Sequence, residues 1–536
     1  MSADPIARLR AEVAGAAAAA GDGTAEPNLD RPRQAGFGDY STNAAMLLAP
    51  VLGDNPRAIA ERLGESLAER LGETIERVEV AGPGFLNLFM TDAWYLGALA
   101  GVLASGESFG AGVAERPERV NVEVVSANPT GPIPVASGRH AAYGDALARI
   151  LEYVGHEVER EFYVNDAGGQ IQRFGQSIRA RARGEEPPED GYHGDYVADL
   201  AQAIDGAADM DVDELARRGV ELILKGVRET LDRFRVRMDR YTLEHTVHPS
   251  VEDVLGRLDG VYESEGATWL RTTSHGDDKD RVLRRSSGEL TYYAVDIAYH
   301  ADKLARAYDR AIAVWGADHH GHVKRMQIAW EELGGDPDRF EIVIMQLVNL
   351  TESGARVQMS KRAGTVVRLD DLLDDIGVDA ARWFLLQRSH DTTLDLDLEL
   401  ARSQSQDNPV YYVQYAHARI AGILAKAGEE AVRRALETDL TASAEQLHPS
   451  ARTLIKRLLE LPGELRDAAE KRAPHRLTAY AHEAAQEFSA FYRDVKVVGA
   501  ADEGGDEAVR LAVCVAAKRV LARSLDLLGV AAPESM

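Results

Sequence analysis

Cysteine is all but missing: Cys514 stands alone among 536 residues. A single thiol excludes internal disulfides and any cysteine-based zinc site, and it fits a reducing compartment. Long apolar runs are missing too, none approaching the roughly 20 residues that span a bilayer. The N-terminus carries no basic n-region followed by an apolar stretch, so no secretory signal is expected. A cytoplasmic location is therefore expected, with no membrane partner. Positive charge is the third shortage. The 61 Lys and Arg residues are outnumbered by 87 Asp and Glu, giving a formal net charge of −26. That balance argues against a broadly basic nucleic-acid binder, so any such surface must be a local patch on an acidic body.

What is present is ordinary for globular protein: 45% hydrophobic and 28% charged residues. The length exceeds one compact core and implies two to four domains. The first 112 residues read as a small α+β unit. Residues 6–20 are Ala-rich and helical in tendency, and Ile59, Leu63, Leu67 and Leu71 give Arg57–Leu71 helical periodicity. Ile75–Met90 alternates like strands around Gly82-Pro83-Gly84, and a helix follows from about Asp92 to Leu103. Arg119–Ser126 reads as a strand, then comes a Pro/Gly turn, a helix from about Gly138 to Gly155 and a strand at His156–Val164. Such a β-turn-α-β unit opens a nucleotide-binding parallel sheet. The acidic stretch from about 175 to 285 reads as a helical insertion, and strands return at Ala311–Trp315 and Glu341–Met345. From Asn408 on nearly everything reads as helix, with Val509, Val513, Ala516 and Val520 as an apolar stripe and Gly529 as its stop. No internal repeats are found.

Three segments carry candidate chemistry. The turn Ser126-Ala127-Asn128-Pro129-Thr130-Gly131-Pro132 can break a strand sharply and present a helix N-terminus to phosphate, although Gly/Pro turns are also common as mere connections. In Gln358-Met359-Ser360-Lys361-Arg362-Ala363-Gly364 a Lys-Arg pair sits on a polar loop from which both side chains reach a triphosphate; the alternative is a solvated basic loop. Trp315-Gly316-Ala317-Asp318-His319-His320-Gly321-His322 follows a strand. Gly316 permits close backbone approach there, and Asp318 suits a ribose hydroxyl. Adjacent histidines point different ways, and no carboxylate spacing completes a tetrahedral site, so no metal is assigned to the protein.

Taken in order, SANPTG, GRHAAYGDAL, YVNDAGGQ, WGADHHG, QMSKRAG and NPVYYVQYAHARI closely resemble arginyl-tRNA synthetases, as do the flanking GDYSTN, AGPGFLN and LGVAAPESM. The resemblance spans nearly the whole chain. It implies a class I ligase that uses ATP and Mg²⁺ to join arginine to tRNA(Arg), acting as a monomer. Arginine would meet Glu123, Asn128, Tyr292 and Asp296, which offer acceptors to a fork of five N–H donors. A Glu in the apolar strand at 123 would be costly if unpaired, and Tyr292 and Asp296, four apart, share a helical face. ATP would lie against Gly131, Pro134, Ala136, Ser137, Gly316, Asp318, His319, Met359, Ser360 and Lys361. Lys361 and Arg362 would stabilise the pyrophosphate leaving group from the family's mobile signature loop, with Ser137 as a further catalytic donor. Gln358 stands where many relatives carry lysine. At the tRNA elbow Phe85 and Asn87 match a stacking face and an amide, and Tyr492 and Met536 match positions near the anticodon loop.

One departure matters. The family's pattern at 134–137 is His-Val-Gly-His, whereas this chain has Pro134, Val135, Ala136 and Ser137. Two phosphate-binding histidines are lost, which would cost on the order of 2–4 kcal/mol in the transition state. His140 and Arg139 are candidates to compensate. Adenylation is either sustained by other donors or lost, and a non-enzymatic descendant that binds tRNA or arginine without activating it is the alternative. Another class I synthetase or a small nucleotidyltransferase is the second rival. The expected architecture is α/β: an N-terminal α+β domain (1–112), a Rossmann-type catalytic domain (113–350) with its helical insertion, a connecting segment (351–405) and an all-α bundle (406–536).

Overall fold

The computed structural model describes residues 4–21, 26–32, 36–357, 367–443, 446–500 and 505–536. Near the N-terminus the Asp4 carboxylate accepts from the N–H groups of Ile6 and Ala7 and caps the helix Pro5–Ala20. The helix Pro56–Leu71 buries Ile59, Leu63 and Leu67, the stripe its periodicity predicts. This second helix covers an antiparallel sheet of β1 (Tyr40–Thr42), β2 (Ile75–Ala81) and β3 (Phe85–Met90) in the order β1-β3-β2, and the first packs on it from outside. The β2–β3 turn needs its glycines: Gly82 and Gly84 both have positive φ, and a Cβ on Gly84 would come 3.0 Å from Pro56.

The central sheet is built from β4 (Arg119–Ala127), β5 (Glu157–Val164), β6 (Arg240–Leu243), β10 (Arg310–Gly316) and β11 (Phe340–Met345). All its pairings are parallel, and the order is β11-β10-β4-β5-β6. Val120, Val122, Val124 and Val125 of β4 are fully buried, as expected for a strand covered on both faces. The chain runs outward from β4 to β5 and β6, then returns to β10 on the other side. The β4/β10 boundary is therefore the switch point, and ligands of such sheets bind outside the carboxyl ends of the strands there. The helix Val135–Val154 crosses from β4 to β5, and a Cβ on Gly144 would sit 2.7 Å from Val124 Cγ1, so glycine lets helix and strand pack closely.

The stretch read as a helical insertion is more mixed than expected. It holds the helices Asp195–Ala203 and Val212–Arg233, but also β6, which completes the central sheet. Beyond β6 an antiparallel sheet of β7 (Val261–Ser264), β8 (Ala267–Leu270) and β9 (Arg281–Arg284) packs near the helix Tyr292–Ala305. A further three-stranded sheet joins β12 (Val348–Glu352), β13 (Ala355–Arg356) and β14 (Leu394–Asp397).

From Pro409 the described residues are largely helical, ending in the helix Glu507–Leu527, which buries Val509, Val513, Ala516 and Val520. Gly529 follows with φ +69°, and a Cβ there would lie 2.2 Å from Arg382 Nε. Glycine is required for both reasons. Buried Arg382 donates to the Leu528 carbonyl (2.6 Å) and to Asp145 (2.7 Å), tying the chain's end to the helix that leaves β4. Among the described residues no helix is long and apolar enough to cross a membrane.

Candidate active site

The helix Val135–Val154 starts at Pro134, an N-cap without a side-chain acceptor. Backbone bonds fix this start from outside: Val135 N–H donates to Val367 O (3.2 Å) and Leu369 N–H to Ile133 O (2.9 Å). Gly138 allows the approach, since a Cβ would meet Leu369 Cδ1 at 2.8 Å. Residues 358–366 lie outside the described residues, and with them Gln358, Met359, Ser360, Lys361 and Arg362. Their attachment is nevertheless informative. Val367, the first described residue after them, is itself bonded to the helix start.

Around that start, Ala136 is exposed while Ser137 and His140 are half-buried. The His140 ring faces the other half of the nucleotide crevice, because a Cβ on Gly316 would lie 3.5 Å from His140 Cε1. Burial first, then the charge of Arg139, holds the imidazole down to about 4 against the opposing pull of Asp318, so at neutral pH it is an uncharged donor or acceptor. Arg139 does not share this role: it is buried and donates to the carbonyls of Gln346 (2.7 Å) and Ser389 (2.9 Å). The expectation that it might reach phosphate is corrected by those two bonds. Gly316 ends β10, and the turn Ala317–His322 leaves Asp318 and His319 exposed, 3.7 Å from each other. Gly131 lies under the Tyr196 ring, whose hydroxyl donates to Thr130 O (2.8 Å).

The second half of the crevice is acidic and buried. Glu123 on β4 is 1% exposed, and both its oxygens are engaged: Lys303 Nζ, itself 1% exposed, donates to Oε2, and Trp315 Nε1 donates to Oε1 at 3.2 Å. Tyr292 and Asp296 stand one turn apart on the helix Tyr292–Ala305. The Tyr292 hydroxyl points toward Gly168, where a Cβ would come within 3.8 Å of it. The Asp296 carboxyl is pushed up to about 8, by burial first and then by the negative charges of Glu244 and Glu123. Between these acids lies the Tyr163 hydroxyl, buried, without a hydrogen-bond partner among the described residues, and stacked on Tyr299 at 4.1 Å. Burial and the charges of Asp296, Glu244, Glu123 and Asp166 all raise its pKa. Asn128 is exposed on the turn after β4. The recess thus brings Glu123 and Asp296 into one electrostatic environment, on the same side of the sheet.

Sequence reasoning missed Tyr163, Glu244, Lys303 and Trp315 as parts of this recess. Lys303 had a readable signal, seven residues after Asp296 and so on its helical face. The partner of Glu123 lies 180 residues away in sequence, and no local pattern links them.

Away from the crevice, Phe85 is 36% exposed at the start of β3 while Asn87 is buried. On the bundle the Tyr411 and Tyr415 rings lie parallel at 6.2 Å, and the Arg419 guanidinium sits over both Tyr415 and Tyr492. Tyr492 and Met536 are exposed. The tyrosine rings form an aromatic row with one guanidinium on the bundle surface.

Three family models match the chain: the arginyl tRNA synthetase N-terminal domain over residues 7–90, the tRNA synthetases class I (R) catalytic domain over 195–417, and the DALR anticodon binding domain over 413–536. The arginine–tRNA ligase of Frankia alni is 45% identical over 528 residues, covering 95% of this chain and 94% of its own length. That of Oceanobacillus iheyensis is 41% identical over 530 residues with the same coverage. The Thermus thermophilus arginyl-tRNA synthetase structure shares the fold at a TM-score of 0.77 and 24% identity, covering 99% of this chain and all of that one. With these relatives matched over 95% of its length, and with a parallel Rossmann-type sheet and a helical C-terminal unit, the chain belongs to the arginyl-tRNA synthetases of class I.

Proposed function

We infer that the chain is an arginine–tRNA ligase that uses ATP to charge tRNA(Arg). The observation that carries this reading is a set of buried acids behind the turn after β4: Glu123, held by Lys303 and Trp315, with Asp296 close enough to feel its charge. A carboxyl near 8 is a group in want of a cation. A guanidinium, always charged, would draw off its proton and occupy the vacated acceptor. Tyr292 closes the outer side of the recess, and Asn128 on the turn is placed to meet the substrate's backbone end. Glu123 acts with its existing partners, Lys303 and Trp315, as the recess wall.

In the first step the arginine carboxylate attacks the α-phosphorus of ATP, forming the acyl–phosphate bond of arginyl-adenylate as the bond to pyrophosphate breaks. Gly131 and Gly316 give the nucleotide room, Asp318 and His319 flank the ribose side, and Pro134, Ala136 and Ser137 line the phosphate turn. Ser137 donates to phosphate, with His140 as a neutral second donor. Lys361 and Arg362, with Met359 and Ser360 beside them, bring the positive charge that pyrophosphate departure needs. In the second step the terminal ribose hydroxyl of tRNA takes the arginyl group and AMP leaves. No covalent enzyme intermediate is required, since positioning and charge stabilisation carry both steps. Mg²⁺ would be held largely by the triphosphate itself, as is usual for this ion.

Phe85 and Asn87 would meet the tRNA elbow, and Tyr492, Met536 and the Tyr411–Tyr415–Arg419 row the anticodon loop. A monomer in the cytoplasm is the proposed working unit, and the single thiol suits a reducing compartment. The test is charging of tRNA(Arg) transcript with labelled arginine. Arginine-specific charging is expected; retained arginine and tRNA binding with no charging would favour the non-enzymatic reading.

A further inference from the structure

Glu123 does not stand alone on its face of the sheet. In the register of β4 and β5 it lies directly opposite Glu161, and both carboxylates are buried, at 1% and 0% exposure. Like charges opposite each other on neighbouring strands repel, the more so out of water. Lys303 answers both. Its ammonium donates to Glu123 Oε2, and its charge is the foremost of those acting on Glu161. Glu161 also accepts from Asn121 Nδ2 (2.8 Å), Thr242 Oγ1 (2.5 Å) and Arg306 Nη2 (2.9 Å). Burial would raise its carboxyl, but Lys303 and Arg306 with these bonds hold it down to about 2. Arg306 Nη1 in turn donates to Glu159 (2.7 Å). Charges therefore alternate from the recess toward the amino ends of the strands, in the order Glu123, Lys303, Glu161, Arg306, Glu159.

The ammonium comes from the helix that carries Asp296. Asp296, Tyr299 and Lys303 are spaced by three and four residues, so they share one helical face. The Lys303 backbone lies about 10 Å further along the helix than that of Asp296. Long helical side chains lean back toward the N-terminus, which carries the ammonium past the Tyr299 ring (4.5 Å) to Glu123. Among the described residues no other cation pairs with Glu123. We propose that Lys303 is a positioning residue of the arginine site: by neutralising Glu123 against Glu161 it pins the helix Tyr292–Ala305 to β4, and so sets where Asp296 stands. The proposal rests on the ligase reading above. It makes Glu123 and Lys303 one neutral unit, whose separate charges matter less than their pairing. A Glu123 stripped of its ammonium would compete with Asp296 for the substrate's guanidinium.

The experiment is steady-state ATP–pyrophosphate exchange with tRNA(Arg) present, on the full chain and on Lys303→Met, Glu123→Gln and the double variant. Exchange by the unaltered chain establishes the parent reading separately. Lys303→Met and Glu123→Gln each strand one buried charge. Both are expected to lower kcat/KM for arginine about 30-fold, with the ATP KM within about threefold. The double variant loses both charges at once and should recover to within about fivefold of the parent, a reversal that additive damage does not give. Being neutral at both positions, it folds more readily than either single variant, and it decides the matter if those do not fold. A folded double variant about 30-fold or more below the parent, an arginine KM that falls in Lys303→Met, or parallel losses in the arginine and ATP parameters would overturn the proposal.

Discussion

The two halves of the crevice are built on opposite plans. The arginine half is walled by buried acids whose few partners come from β4, β10, the loop after β5 and the helix Tyr292–Ala305, so its geometry is set before substrate arrives. The nucleotide half offers an exposed Ala136, a half-buried Ser137, a neutral His140 and exposed Asp318 and His319. In its described part Arg139 is turned inward, bonded to two backbone carbonyls. On the proposed reading, selectivity would be stored in the buried, low-dielectric structure of the arginine half, where an unpaired group is costly. Phosphate stabilisation, on the same reading, would fall to neutral donors such as Ser137 and His140 together with Lys361 and Arg362.

The sharpest way to break that contrast is to disarm the acid half. Asp296→Asn should lower kcat/KM for arginine about 10³-fold, chiefly through KM, measured by pyrophosphate exchange. The same variant should be no less stable. The Asp296 carboxyl titrates near 8 folded against an ordinary 3.8 unfolded, so the native state holds the extra proton, and this group's contribution falls as pH rises between those values. Thermal melts of the arginine-free protein should show the Asn variant gaining on the parent across that window.

Next in size, Lys361→Ala should cost about 10²-fold in kcat while leaving the arginine KM within about threefold, because the lost charge acts on the leaving group. Third, the parent's arginine KM should rise about tenfold per pH unit as pH falls below 8, since arginine binds the deprotonated carboxyl. Calorimetry in buffers of different ionisation enthalpy should detect proton release, and Asp296→Asn should flatten the slope. Smallest, Ser137→Ala and His140→Ala should each reduce kcat about fivefold, the scale of one neutral hydrogen bond. A hundredfold loss at either would mean that the nucleotide half is less sparse than its side chains suggest.

Much of the fold was legible because its elements carry strong local patterns. β4 is a run of valines, the helix Pro56–Leu71 has a clean apolar stripe, and the β2–β3 turn is marked by Gly82-Pro83-Gly84. β6 was not legible: four residues, Arg240–Leu243, are too few for a period, and they lie in an acidic helical stretch. At the site, Tyr292 and Asp296 were readable as a helical pair, and Glu123 as a charge out of place in an apolar strand. Its neutralisation by Lys303, the inward turn of Arg139 and the burial of Glu244 beside Asp296 were not, because each depends on contacts between segments remote in sequence.

Whether the sparse nucleotide half still works can be measured directly by ATP–pyrophosphate exchange on the unaltered chain with arginine and tRNA(Arg) both present. The account predicts exchange that saturates with arginine and is absent with lysine or citrulline. Tight, selective arginine binding with exchange no higher than background would contradict it.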